Sequence, residues 1–108
     1  SVMPQAPGHT LVIPKFETTN LLNLPDEFME PILKTTKNIA NAIKKVYSPT
    51  GVMIMQLNGK EAGQTVFHLH FHIIQRSSGL EYKFHSRDVE DFDKLENEAR
   101  KIRKAIAI

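Results

Sequence analysis

Cysteine is missing from the chain altogether. Its absence excludes disulfides, cysteine-ligated zinc and a thiol nucleophile, and it fits a cytoplasmic location. Long hydrophobic runs are missing too. No stretch approaches the roughly 18 apolar residues that span a bilayer, so no membrane partner is expected. Strong charge of one sign is also lacking: the formal net charge is only +2, and the Lys and Arg residues are scattered. A polyanion-binding surface is therefore not expected, and no nucleic-acid partner with it.

What remains is ordinary globular material. The 108 residues, 41% hydrophobic and 24% charged, suffice for one core and one domain, residues 1–108. After a turn-rich entrance, Pro4-Gln5-Ala6-Pro7-Gly8, the run Leu11-Val12-Ile13 reads as a short buried strand closed by Pro14, with His9 at its entrance. Residues 15–24 read as a surface loop. From Pro25 to Tyr47 the period becomes helical. Ile32, Leu33, Thr36, Ile39, Ala40, Ile43, Val46 and Tyr47 form one stripe, with Asp26 and Glu27 at the positive end of the dipole and Lys44 and Lys45 at the negative end. Pro31 requires that this helix begin near Glu30 or kink there.

Val52–Leu57 reads as a second apolar strand, joined by the 58–63 loop to a third as its antiparallel neighbour. Residues 80–85 read as a further edge strand or a loop. From Asp88 a second amphipathic helix is expected, with Phe92, Leu95, Ala99, Ile102 and Ile106 on its apolar side. Strands without long crossovers and two separate helices predict an α+β domain: an antiparallel sheet with helices on one face.

The third strand carries the chemistry. Phe67-His68-Leu69-His70-Phe71-His72-Ile73 alternates apolar residues with imidazoles. In an extended chain this gives one buried face and one face bearing histidines roughly 6.6 Å apart. Imidazole titrates near neutrality, so it can serve as nucleophile, base or acid. A neutral ring attacks through one nitrogen only when the other keeps its proton on an acceptor, and a nearby backbone carbonyl can be that acceptor. Attack on phosphorus would give a labile covalent intermediate. The Gly63-Gln64-Thr65 segment offers donors beside the rings, and neighbouring histidines, if cationic, would stabilise phosphate charge.

The segment AGQTVFHLHFHIIQR, together with His9-Thr10-Leu11-Val12-Ile13-Pro14-Lys15 and Asn58, closely resembles the histidine triad (HIT) superfamily, most nearly its Hint branch of nucleotide phosphoramidases and hydrolases. The resemblance runs from Pro4 to the last helix. It implies a HIT-like antiparallel sheet with two helices packed on it, and His70 as a nucleophile that forms a nucleotidyl-histidine intermediate on an α-phosphate. It implies that His72 contacts the phosphate, that His68 lends a carbonyl to His70, and that His9 backs the triad. Gly63, Gln64, Thr65, Asn58 and Val2 would meet the substrate. The substrate would be a purine nucleoside monophosphate derivative, such as a phosphoramidate, and the protein a homodimer with residues 30–47 and 52–57 near the interface. No cofactor and no metal are expected.

The chain also departs from the family's pattern. Ser1 stands where the family usually has an acidic residue on the ribose, the family's first segment is expected to be missing, and Glu17 replaces a frequent histidine. Two other readings of the histidines remain: a non-catalytic nucleotide-binding regulator, and a zinc-dependent hydrolase using the alternating imidazoles.

Overall fold

Residues 4–79 and 90–106 are described in the computed structural model. Three strands form one antiparallel sheet: β1 (Thr10–Val12), β2 (Gly51–Met55) and β3 (Phe71–Arg76), in the order β1-β3-β2. Two helices, α1 (Met29–Tyr47) and α2 (Phe92–Ile106), complete the domain. The expected α+β architecture is thus observed, with helices packed on a small antiparallel sheet. The possible strand at 80–85 and the start of the second helix at Asp88 lie outside the described residues.

β3 is the central strand. His72 is in register with Leu11 on one side and Met55 on the other, and Ile73 is paired with Thr10 and Ile54. Cross-strand partners share a face, so His72 belongs to one face and Phe71 and Ile73 to the other. The Phe71 and Ile73 face meets α1, and the core gathers there around Val12, Ile32, Ala40, Ile43, Leu69 and Ile102. The histidines are accordingly on the face that α1 leaves open. Met53 and Met55, from the apolar run 52–57, are only half-buried on the face that carries His72.

The Pro31 difficulty resolves locally. A single 3-10 turn, Asp26–Phe28, precedes the helix, and Pro31 becomes its third residue. A first-turn amide has no intrahelical acceptor, so the missing N–H costs nothing there. The helix ends at Ser48, which adopts a left-handed conformation and donates its N–H to the Lys44 carbonyl at 2.9 Å. Pro49 then prevents continuation.

Two expectations need correction. Leu33 is not on the buried stripe of α1 but 55% exposed. α2 packs along α1 through Glu98, Ile102 and Ala105, whereas Phe92 and Ile106 stand in solvent at 72% and 45% exposure. The row 98-102-105 is rotated from the stripe read in the sequence, because the buried carboxylate of Glu98 belongs to the contact and an apolar count cannot include it.

Candidate active site

The ladder begins later than the alternation suggests. The chain bends at Val66–His68 and joins β3 only at Phe71, so of the three histidines His72 alone is a strand residue. The cause is a competing partner. The Leu69 N–H donates to the Thr18 carbonyl at 2.8 Å, so a loop takes the place of a neighbouring strand. Extended backbone still alternates sides, and Leu69, Phe71 and Ile73 are buried while His68, His70 and His72 are half-exposed. Phe67, expected on the apolar face, is 57% exposed because the bend turns it outward.

Each imidazole is held by a definite partner. His68 Nε2 donates to the Pro14 carbonyl at 3.0 Å, and His70 Nδ1 donates to the His68 carbonyl at 2.8 Å. A carbonyl can only accept, so Nδ1 of neutral His70 keeps its proton and Nε2 presents a lone pair. His9 and His72 form a second, linked pair. The Gln5 backbone N–H donates to His9 Nδ1 at 3.0 Å, and His9 Nε2 lies 2.9 Å from His72 Nδ1. With Nδ1 of His9 occupied as an acceptor, its proton is on Nε2 and is donated to His72. His72 therefore carries its own proton on Nε2.

Electrostatics agrees with that assignment. Burial, and then the proximity of His72, pushes His9 down to about 3. Burial, and then His70, pushes His72 down to about 4. Both rings are neutral near pH 7. The condition that neighbouring histidines be cationic is not met by these two, which offer oriented N–H dipoles. The His70 and His72 ring centroids are 4.9 Å apart at 69°, edge towards face.

The loop ahead of the histidines is braced from within. Gln64 is buried, accepts the Gly59 N–H on Oε1 at 2.8 Å, and donates from Nε2 to the Thr19 and Val66 carbonyls at 2.7 and 3.1 Å. Its own N–H is bound to the Gly59 carbonyl at 3.0 Å. The Gln64 side chain thus braces the loop from within. Gly63 takes a positive φ of 101° at the end of the single turn Lys60–Ala62, a conformation that disfavours other residues. Thr65 is exposed just before the bend. Asn58 exchanges amide hydrogen bonds with Gln56 at 2.8 and 2.9 Å, and its Oδ1 also accepts the Leu21 N–H at 3.1 Å. Val2 lies outside the described residues.

Sequence reading missed the partners that hold these groups: the Gln5 amide, the Pro14, Thr18 and Thr19 carbonyls, and Gln56. Most are backbone groups, which every residue type carries. Gln56 was legible, since it lies two positions from Asn58 and a period of two puts both on one side. Among the described residues, no three His, Asp or Glu side chains are grouped so as to hold a metal ion. No helix there is long and apolar enough to cross a membrane.

Comparison with known proteins adds to this geometry. Residues 1–79 match the profile of the family described as HIT domain. A HIT-like protein of Borreliella burgdorferi is 43% identical over 101 residues, covering 87% of this chain and 73% of that protein. The adenosine 5'-monophosphoramidase of Saccharomyces cerevisiae is 39% identical over 98 residues, 87% of this chain but only 58% of the yeast protein. The crystal structure of a Hit-like protein from Bartonella henselae superposes with a TM-score of 0.91 at 46% identity, covering 97% of this chain and 76% of that one.

Proposed function

Because the chain belongs to the HIT domain family, we propose that it is a nucleotide hydrolase that cleaves the α-phosphate bond of a purine nucleoside monophosphate derivative, a phosphoramidate or a similar compound, through a covalent intermediate on His70. One observation carries the reading: the His70 Nδ1 proton is tied to the His68 carbonyl, so Nε2 is a lone-pair nucleophile at the open face of the sheet.

In the first step His70 Nε2 forms a bond to phosphorus and the bond to the leaving group breaks. The ring becomes cationic, and its hydrogen bond to the His68 carbonyl strengthens as it does so. His72 Nε2–H faces the phosphate oxygens as a preorganised donor. In the second step water attacks phosphorus and gives up one proton to solvent, the N–P bond breaks to return neutral His70, and the nucleoside monophosphate leaves. The departing group takes its proton from solvent at the open rim beside Thr65. The His9–His72 pair orients the donor that His72 presents.

The resemblance supports a homodimer using α1 and β2. Exposed Leu33 on α1 and Ile54 on β2, at 55% and 50%, are consistent with it.

The test is mass spectrometry of protein quenched during turnover of adenosine phosphoramidate. A nucleotidyl adduct on His70 is expected. His70→Ala should abolish turnover while leaving binding of the monophosphate within about tenfold. An active His70→Ala enzyme would exclude the covalent role, and a wild type that binds the nucleotide without turnover would favour the regulatory reading.

A further inference from the structure

α2 lies against the turn that carries His9, lining one cavity with Gly8, His9 and Thr10, and one contact there is chemically specific. Glu98, in the middle of α2, is 91% buried, the complement of its 9% exposure. Its Oε2 accepts the Gly8 N–H at 3.2 Å. Gly8 immediately precedes His9, and the turn they share is tightly determined. Gly8 has a φ of 78°, and a Cβ there would fall 2.5 Å from Cε2 of Tyr47, the last residue of α1. The His9 N–H donates back to the Ala6 carbonyl at 3.1 Å, and the Gln5 N–H donates to the His9 ring. The Tyr47 hydroxyl is buried beside the same carboxylate, and burial and then Glu98 raise it to about 12. α1, α2 and the turn thus converge on one carboxylate.

We propose that Glu98 is a positioning residue for the histidine site: by holding the Gly8 N–H it fixes the Gln5–His9 turn, and through it the proton arrangement of His9 and His72. The argument is geometric. The tautomer of His72 is set by His9 Nε2, and that of His9 by the Gln5 amide. The amide reaches the ring only while the turn between them keeps its shape. Without Glu98, the Gly8 N–H is a buried donor with no acceptor, and the turn must move to reach water. The Gln5 amide then leaves His9 Nδ1, either tautomer of His9 becomes allowed, and His72 loses its fixed donor. The inference rests on the proposed catalytic role of the site for its kinetic consequence, but not for its spectroscopic one.

The experiment compares Glu98→Gln, which keeps an acceptor oxygen, with Glu98→Leu, which removes it, and with Glu96→Leu on an exposed position of the same helix. The measurements are imidazole 15N shifts at pH 7 and turnover of adenosine phosphoramidate. Wild type, Glu98→Gln and Glu96→Leu should show His9 and His72 each protonated on Nε2, with kcat within about twofold of one another. Glu98→Leu should show tautomer averaging at His72 and a kcat lower by about tenfold, with KM changed less than about twofold, as expected when a reacting arrangement and not binding is disturbed. Should Glu98→Leu not fold, Glu98→Asp keeps the charge but falls a methylene short, and the same averaging is expected. Fixed tautomers in both Glu98→Leu and Glu98→Asp, or in whichever of them folds, would overturn the proposal. If the wild type does not turn over but the tautomers still respond to Glu98, the positioning role stands and the catalytic reading falls.

Discussion

His9 Nε2 and His72 Nδ1 lie 2.9 Å apart, and because the opposite edge of His9 is occupied by the Gln5 amide, only one distribution of protons fits two neutral rings. A pair of histidines that are each ambiguous alone becomes a single oriented dipole. This is a second-row device that fixes the direction of a donor before any substrate arrives.

The pair makes stability depend on pH in a definite direction. Both rings have folded-state values lowered from the ordinary 6.5, to about 3 for His9 and about 4 for His72. Between those limits the unfolded chain binds more protons than the folded one, so acid favours unfolding. The contribution is fully present above pH 6.5 and is lost progressively as the pH falls towards 4 and then 3. Denaturant midpoints measured from pH 7.5 to 4.5 should fall steadily, with up to two protons taken up on unfolding. His9→Gln should flatten the profile by about one proton. A midpoint independent of pH across that range would contradict neutral His9 and His72.

Gln64 predicts a different kind of loss. Its amide makes three hydrogen bonds from a buried position, tying residues 59, 19 and 66 together. Gln64→Ala should strand these backbone groups and destabilise the fold by about 2–3 kcal/mol. Gln64→Glu should also be costly, since a carboxylate cannot donate to the Thr19 and Val66 carbonyls. Chemical denaturation checks both variants. If Gln64 only touched substrate, they would lower activity and leave the unfolding midpoint in place.

At Gly8 the backbone and the packing oppose a side chain together. A positive φ and a Cβ 2.5 Å from the Tyr47 ring place Gly8→Ala among the more damaging turn substitutions, at about 1–3 kcal/mol. Combining it with Tyr47→Leu should recover the steric part but not the conformational part. A double-mutant cycle on thermal stability separates the two, and simple additivity would show that no clash exists.

How much of this was legible depends on which groups the chemistry uses. The two faces of 68–73 could be read because extended backbone alternates whether or not it pairs with a strand. The strand's start could not be read, since the Leu69 amide is taken by the Thr18 carbonyl and a carbonyl leaves no trace in residue type. His9 needed the resemblance to be noticed, and its link to the Gln5 amide needed the fold. The bracing bonds of Gln64 could not be read, since its partners at residues 19, 59 and 66 are backbone groups that only the fold brings together. The buried role of Glu98 leaves no mark in the helix's own pattern, because its partner Gly8 is distant in sequence and brought near by the packing of α2.

The edge of the sheet yields the last prediction. β2 is one of the two outer strands of the described sheet, and its Ile54 is 50% exposed although it sits in register with fully buried Ile73. Leu33 of α1 is also exposed. An apolar residue on an open strand edge invites association unless a partner covers it. A homodimer through β2 and α1 would bury both residues. Ile54→Lys should therefore halve the mass seen by light scattering at micromolar concentration, roughly, while the far-UV circular dichroism remains that of the wild type. Because the His9–His72 pair and the His70 bond lie within one chain, the monomer should keep the imidazole tautomers unchanged. A wild type that scatters as a monomer would remove the interface, and a dimer indifferent to Ile54→Lys would move it elsewhere on the surface.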